Sequence, residues 1–346
     1  MLFKRFGKEP SGERLKRIKE AENTRDAKFQ NIEPTVLQTE DASIAKILNQ
    51  MLKRPKSVRP SREIPHIKAS LQDFTSTEPA VIWFGHSSYL LNFNGYKILV
   101  DPVFSGFTSP FKIFGKSFSG TDLYKAEDFP DIDLLILTHD HYDHLDYKFL
   151  KQLRPKISKI ITSLGVGAHL EHWGINAKII TELNWHQSVE IHKDLKISAL
   201  PARHFSGRGF KRDTSLWSSF ALEWEDYKIY IGSDSGYSSE FKKIGERFKK
   251  FDLVFLECGQ YGKYWPQIHM LPEETVQAAK DLNAEILFPV HWGKFVLSVH
   301  PWNEPIKRLM AEAELQQQKV VAPKIGETYI LGEQFSQKYW WNFEEK

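Results

Sequence analysis

An apolar run, DLLIL (133–137), opens directly into Thr138-His139-Asp140-His141-Tyr142-Asp143-His144-Leu145-Asp146. Four potential metal ligands, His139, His141, Asp143 and His144, fall within six residues. A turn at the end of a buried strand converges side chains so spaced on a small volume. Imidazole nitrogen and carboxylate oxygen suit zinc, manganese or iron. One tetrahedral ion with an open position needs only three protein ligands. Four in one turn therefore predict a two-metal centre, with further ligands downstream.

Composition sharpens this. The 346 residues include 13 His and a single Cys, Cys258. Cys-rich zinc modules, iron–sulfur sites and intrachain disulfides are excluded, so a metal here is held by imidazole and carboxylate. Cys258 follows the apolar run DLVFLE and reads as a small core residue. Mean hydropathy is −0.43, and no apolar run approaches the roughly 18 residues needed to span a bilayer.

From about residue 78 the pattern alternates short β-rich runs with helices. Strands are expected at 80–84, 97–101, 133–138, 159–162, 178–181, 195–200, 218–224, 227–233, 252–257 and 285–290. Helices are expected at about 145–153, 238–249, 272–282 and 304–318. Pro272, Glu273 and Glu274 mark the start of the third. The pattern predicts one α/β domain of two sheets with outer helices. Three more candidate ligands stand just after strands: His204, Asp234 (followed by Gly236, expected to permit a tight turn) and His291. Strand ends are where sites collect in α/β proteins.

Together, THDHYDHLD, His204, Asp234 and His291 resemble the HxHxDH motif and the later metal positions of the metallo-β-lactamase superfamily. The resemblance covers about residues 78–335. It implies a four-layer αββα sandwich with an N-terminal extension (1–77) and a catalytic domain (78–346). It also implies two divalent ions, usually Zn2+, with Mn2+ or Fe2+ as alternatives. One ion takes His139, His141 and His204, the other Asp143, His144 and His291, and Asp234 bridges them. WFGHSS (83–88), ILVDPVFS (98–105), SDSGY (233–237), IHMLPEE (268–274) and HWGKFVLSVHPWNEP (291–305) are similar to bacterial relatives of N-acyl-phosphatidylethanolamine-hydrolysing phospholipase D.

The expected chemistry is hydrolysis of a lipophilic phosphodiester by a hydroxide shared between two metals. Asp143 and Asp234 are the carboxylates on which it depends. His269 and His291 compete for the last ligand position. His291 ends a strand and is taken as the ligand, since ligands need a rigid platform. His269, in the loop GQYGKYWPQIHM, is read as a substrate-contacting or proton-donating residue. Asp101, ahead of Pro102, is expected to orient a ligating imidazole, and His86 to lie just behind the metals. Arg203 and Arg208 flank His204 and are candidates for bidentate phosphate contact. Phe104, Phe107, Phe111, Phe114 and Phe118 lie in a loop interrupted by Gly106, Pro110 and Gly115. They are candidates for an acyl-chain wall or a membrane-dipping loop, Phe104 and Phe107 as substrate contacts. A lactonase or amidase on the same fold is the alternative, a nuclease a further one, and a non-catalytic scaffold the weakest.

Charge bears on partners. The formal net charge is +3, too near neutral for a nucleic-acid binder as a whole, and no nucleic-acid partner is expected. Residues 1–70 carry 16 Lys/Arg against 9 Asp/Glu, a surplus of seven that leaves the remainder at −4. Such an arm either meets an anionic lipid surface or wraps the domain as a solvated extension. Within it, 41–53 reads as a short amphipathic helix with Asp41 near its N-cap. MLFKRFGKEP offers positive charge without an apolar h-region, so a cytoplasmic protein, with possible membrane association, is expected.

Overall fold

The computed structural model describes residues 3–111, 114–192 and 194–344. In the extension, helix α1 (Gly12–Glu20) precedes a two-stranded hairpin, β1 (Thr24–Arg25) and β2 (Lys28–Phe29), and helix α2 (Ile44–Leu52) follows. The N-cap of α2 is Ser43, whose Oγ accepts from Lys46 N at 3.2 Å. Asp41, two residues before it and so near the cap as expected, accepts from Thr39 Oγ1. Serine two residues on closes the same turn with a shorter side chain.

The body begins with β3 (Ala80–Trp83), β4 (Tyr89–Phe93), β5 (Tyr96–Val100), β6 (Ile132–Leu137), β7 (Ile157–Ser163) and β8 (Ile180–Leu183). A second run holds β9 (Ser188–His192), β10 (Leu195–Leu200), β11 (Ser219–Trp224), β12 (Tyr227–Ile231), β13 (Phe251–Glu257) and β14 (Ala284–Val290), and β15 (Thr328–Ile330) returns to the first. The sheets have the orders β15-β3-β4-β5-β6-β7-β8 and β14-β13-β12-β11-β10-β9. In both, an antiparallel part joins a parallel part, with β5 to β8 parallel in one and β12 to β14 in the other.

Alternation along β6 explains the layers. Leu134 and Ile136 face the core shared with the second sheet, while Leu135 and Leu137 face helices α3 (Tyr147–Leu153) and α4 (Gly167–His172). Helices α5 (Glu240–Phe248), α6 (Pro272–Asp281) and α7 (Glu304–Leu315) cover the other side, contributing Phe241, Val276 and Leu309. Tyr89 stacks on Phe255 across the sheets at 4.1 Å. The result is the αββα sandwich. Strands β4, β9 and β15 were not legible in the sequence. YLLNF is buried throughout, so it lacks alternation, and β9 and β15 are short edge strands.

The extension is folded onto the body. Ile18 and Phe29 share a small core with Leu164, Trp185, Leu216 and Trp217. Arg14 pairs with Glu171 and Glu182. Among the described residues no helix is long and apolar enough to cross a membrane.

Candidate metal centre

The seven candidate ligand positions converge at one end of the sandwich. His139, His141, Asp143 and His144 come from the turn after β6, and His204, Asp234 and His291 from the segments after β10, β12 and β14. Each sheet therefore supplies part of one site. Potential donor atoms of His139, His141, His204 and Asp234 lie within 4.8 Å of one another, as do those of His86, Asp143, His144 and His291.

In the first group the hydrogen bonds fix the tautomers. Thr138 Oγ1 donates to Asp101 Oδ2 at 2.6 Å and so accepts from His139 Nδ1 at 3.0 Å. His204 Nδ1 donates to Ile268 O at 2.9 Å. Both rings thus turn an Nε2 lone pair inward, toward His141 Nδ1, at 3.0 and 3.2 Å. Burial and neighbouring imidazoles hold His139 well below the usual histidine range. Burial also lowers His204 and His141, against the pull of nearby carboxylates. Neutral rings are the ligating form.

The second group is richer in acid. His144 Nδ1 lies 2.8 Å from Asp101 Oδ2, and its Nε2 lies 3.2 Å from Asp234 Oδ2 and 3.7 Å from Asp143 Oδ2. Burial disfavours the imidazolium, but Asp234 and Asp143 raise His144 well above the usual range. Burial likewise opposes ionisation of Asp143 and Asp234, and His144 overcomes it, holding both carboxyls well below theirs. His86 Nε2 is 2.9 Å from Asp143 Oδ2, in contact with a candidate ligand. Burial takes His86 down to about 3.

These residues fit a metal pair on two observations. Buried His86 Nδ1 and His291 Nε2 have no hydrogen-bond partner, an expensive arrangement for polar atoms without a cation to meet. The two lone pairs aimed at His141 are the other.

The scaffold is strained where it presents these groups. His86, Asp101 and His291 have φ of 54°, 38° and 65°, a region non-glycine residues visit mainly where surroundings force it. Here two turns force each other, with His86 N donating to Trp292 O and His291 N to His86 O. Gly236 serves by close approach instead of the tight turn expected. A Cβ there would sit 1.9 Å from Gln267 O.

A cavity of about 280 Å3 opens over the donors. Leu37 and Met51 of the extension wall it with Phe205, Trp265, Ile268 and Leu297. His269 lines it too, its Nδ1 3.0 Å from Glu257 Oε2. Burial lowers the His269 pKa, but the Glu257 charge and hydrogen bond outweigh it and push it up to about 9. Glu257, at the end of β13, also accepts from Met270 N. Sequence reasoning passed over Glu257. Its only signal was position, an acid ending an apolar strand as Asp101 does.

Four expected substrate contacts lie elsewhere. Arg203 is spent on backbone and extension, donating to Thr35 Oγ1 and Pro34 O of the extension and to Tyr237 O of the body. Arg208 is buried and gives its guanidinium to the carbonyls of Arg5, Asp140 and Leu145. A chain crossing the surface leaves carbonyls to be met, and arginine meets several at once. Phe104 is a core residue against Phe84, Phe129 and Phe149. Phe107 lines a separate small cavity beside Arg5 and Arg208. Of the other rings in that loop, Phe118 is buried, while Phe111 and Phe114 are exposed.

Comparison with known proteins agrees with the fold. Residues 96–292 match the Beta-lactamase superfamily domain. An uncharacterised Mycobacterium tuberculosis protein is 39% identical over 310 residues, 88% of this chain and 83% of that one. The N-acyl-phosphatidylethanolamine-hydrolyzing phospholipase D 1 of Caenorhabditis elegans is 34% identical over 270 residues, 71% of this chain and 74% of that one. The metallo hydrolase Igni18 of Ignicoccus hospitalis superposes with a TM-score of 0.56 at 24% identity, covering 76% of this chain and 100% of that one. With its two mated sheets and its His/Asp cluster at their common end, the chain belongs to the metallo-β-lactamase superfamily of metal-dependent hydrolases.

Proposed function

We propose that the protein is a dinuclear phosphodiesterase of phospholipase D type, acting on N-acyl-phosphatidylethanolamine or a similarly lipophilic phosphodiester. The observation that carries this is a pair of donor groups with the Asp234 carboxylate between them, 3.8 and 3.7 Å from His139 and His204 on one side and 3.2 and 2.9 Å from His144 and His291 on the other, under a cleft walled by apolar side chains. Similarity to the nematode phospholipase D supports the substrate class. His139, His141 and His204 would hold one ion and Asp143, His144 and His291 the other, with Asp234 between them. Such a pair, Zn2+ by the borderline softness of its donors, supplies Lewis acidity and lowers the pKa of water. Asp101 orients His144 through Nδ1. His269, held at Nδ1 by Glu257, offers its other nitrogen as proton donor to the departing alcohol.

Lipid contact belongs to the same proposal. Exposed Val36 and Leu52 adjoin the cleft residues Leu37 and Met51, and Lys53 and Arg54 follow at once. Leu52→Asp with Lys53→Glu should reduce co-sedimentation with anionic vesicles. Unchanged binding removes this part.

The central test is metal analysis of protein purified without chelator, then a phospholipid panel read by product mass spectrometry. The proposal expects two metal equivalents and release of phosphatidic acid with the head-group alcohol. Turnover of acyl-lactones without phosphodiester cleavage would establish the acyl-hydrolase alternative. Cleavage of DNA or RNA alone would establish a nuclease.

A further inference from the structure

We infer that Asn31, in the N-terminal extension, is a positioning residue for the metal centre, acting through the backbone of His204. The inference rests on reading His204 as a ligand.

The ligands differ in how far they stand from regular structure. His291 is the first residue past β14, and His139 the second past β6. His204 is the fourth past β10, whose last ladder pair is Leu200 with Ser219. Its peptide groups are beyond the reach of that ladder. Asn31 meets them instead. Its Nδ2 donates to His204 O at 2.8 Å, and its Oδ1 accepts from His204 N at 3.0 Å. A carboxamide has the donor–acceptor spacing of a peptide, so it acts here as a one-residue strand partner. The amide orientation is forced. Oδ1 also accepts from Trp217 Nε1 at 3.2 Å, and the reversed amide would set donors against two N–H groups.

Asn31 is itself fixed. Phe29, two residues before it, is buried against Trp185, Ala202 and Trp217, and Phe29 N donates to Asp213 O at 2.8 Å. With the His204 ring held at Nδ1 by Ile268 O, the backbone grip leaves the imidazole little freedom. Nε2 then keeps its direction toward His141. Removing the grip frees the segment after β10 to move, and with it one ligand of three imidazoles. Groups that orient ligands typically weaken binding 10–100-fold when lost.

The test uses full-length protein and compares Asn31→Ala and Asn31→Asp with His204→Ala and Glu33→Gln. Asp keeps the acceptor but sets a carboxylate against His204 O. Glu33 fastens the same extension through Ser239 and does not touch His204. Zn2+ affinity is read by chelator competition, Co2+ geometry by visible absorption, and folding by circular dichroism and Tm of the metal-free protein. The expectation is about tenfold or greater weakening of one metal equivalent in both Asn31 variants, with an altered Co2+ spectrum and about twofold change or less in Glu33→Gln. If His204→Ala weakens that equivalent but Asn31→Ala leaves affinity and spectrum unchanged, the positioning role is overturned. It is overturned equally if Glu33→Gln weakens the metal as much, since loosening of the extension then suffices. If His204→Ala itself retains both equivalents, the ligand reading fails instead.

Discussion

Around His139, His141 and His204 the donors are imidazoles held neutral by burial, whereas around Asp143 and His144 they sit among three carboxylates that hold a proton on His144. The same fold end thus offers two unlike environments joined by Asp234. An ion entering the first meets lone pairs already directed. An ion entering the second must replace a proton, and gains carboxylate charge in exchange. Two adjacent sites need not be equivalent, and the difference is set by what stands behind the ligands.

Losing the shared residue should erase the contrast. Asp234→Asn is expected to abolish turnover and to lower both metal equivalents together, read by metal analysis. Retained activity would break the dinuclear reading. Asp143→Asn should also abolish turnover, but remove chiefly the equivalent on the acid-rich side. Equal loss from both sides would show that the groups act as one. Next in size, Asp101→Asn should weaken that same equivalent about 10–100-fold, because His144 loses the acceptor that orients it. Proton release separates the groups further. Calorimetry at pH 7 in buffers of differing ionisation enthalpy should find proton release on filling the His144 side and little on filling the His139 side.

The smallest effect on metal binding concerns His269, which acts on stability and on the leaving group. Its folded pKa of about 9 lies above its unfolded value near 6.5. Its contribution to stability is therefore complete below about pH 6.5 and is lost as pH rises through about 9. The Tm of metal-free protein should fall across that window, and Glu257→Gln should flatten the fall. In the loaded enzyme the same substitution should slow cleavage of alkyl esters about 100-fold while sparing p-nitrophenyl esters, whose leaving group needs little protonation. Equal slowing of both would remove His269 as proton donor.

Much of this candidate centre was legible because the residues that could hold a metal follow strands. His139 to His144 are contiguous, and Asp234 and His291 each follow a β-rich run, so local pattern sufficed. The β4 strand was missed because burial on both faces removes alternation. Arg203 and Arg208 were misread for a different reason. A guanidinium suits a phosphate and a set of carbonyls equally, and only the path of the extension decides between them. Asn31 carried no local signal, since its partner lies 173 residues away, and Glu257 carried only its place at the end of an apolar strand.

The division of ligands between the two sheets has a mechanical consequence. Four come from the seven-stranded sheet and three from the six-stranded one. An ion held by both would be bound only while the sheets are mated, and so would act as a rivet across the sandwich. Binding to the folded form alone adds RT ln(1 + [metal]/Kd), about 4 kcal/mol at a thousandfold excess over Kd. Chelation would then lower the temperature at which the two halves part, as well as silence the chemistry between them.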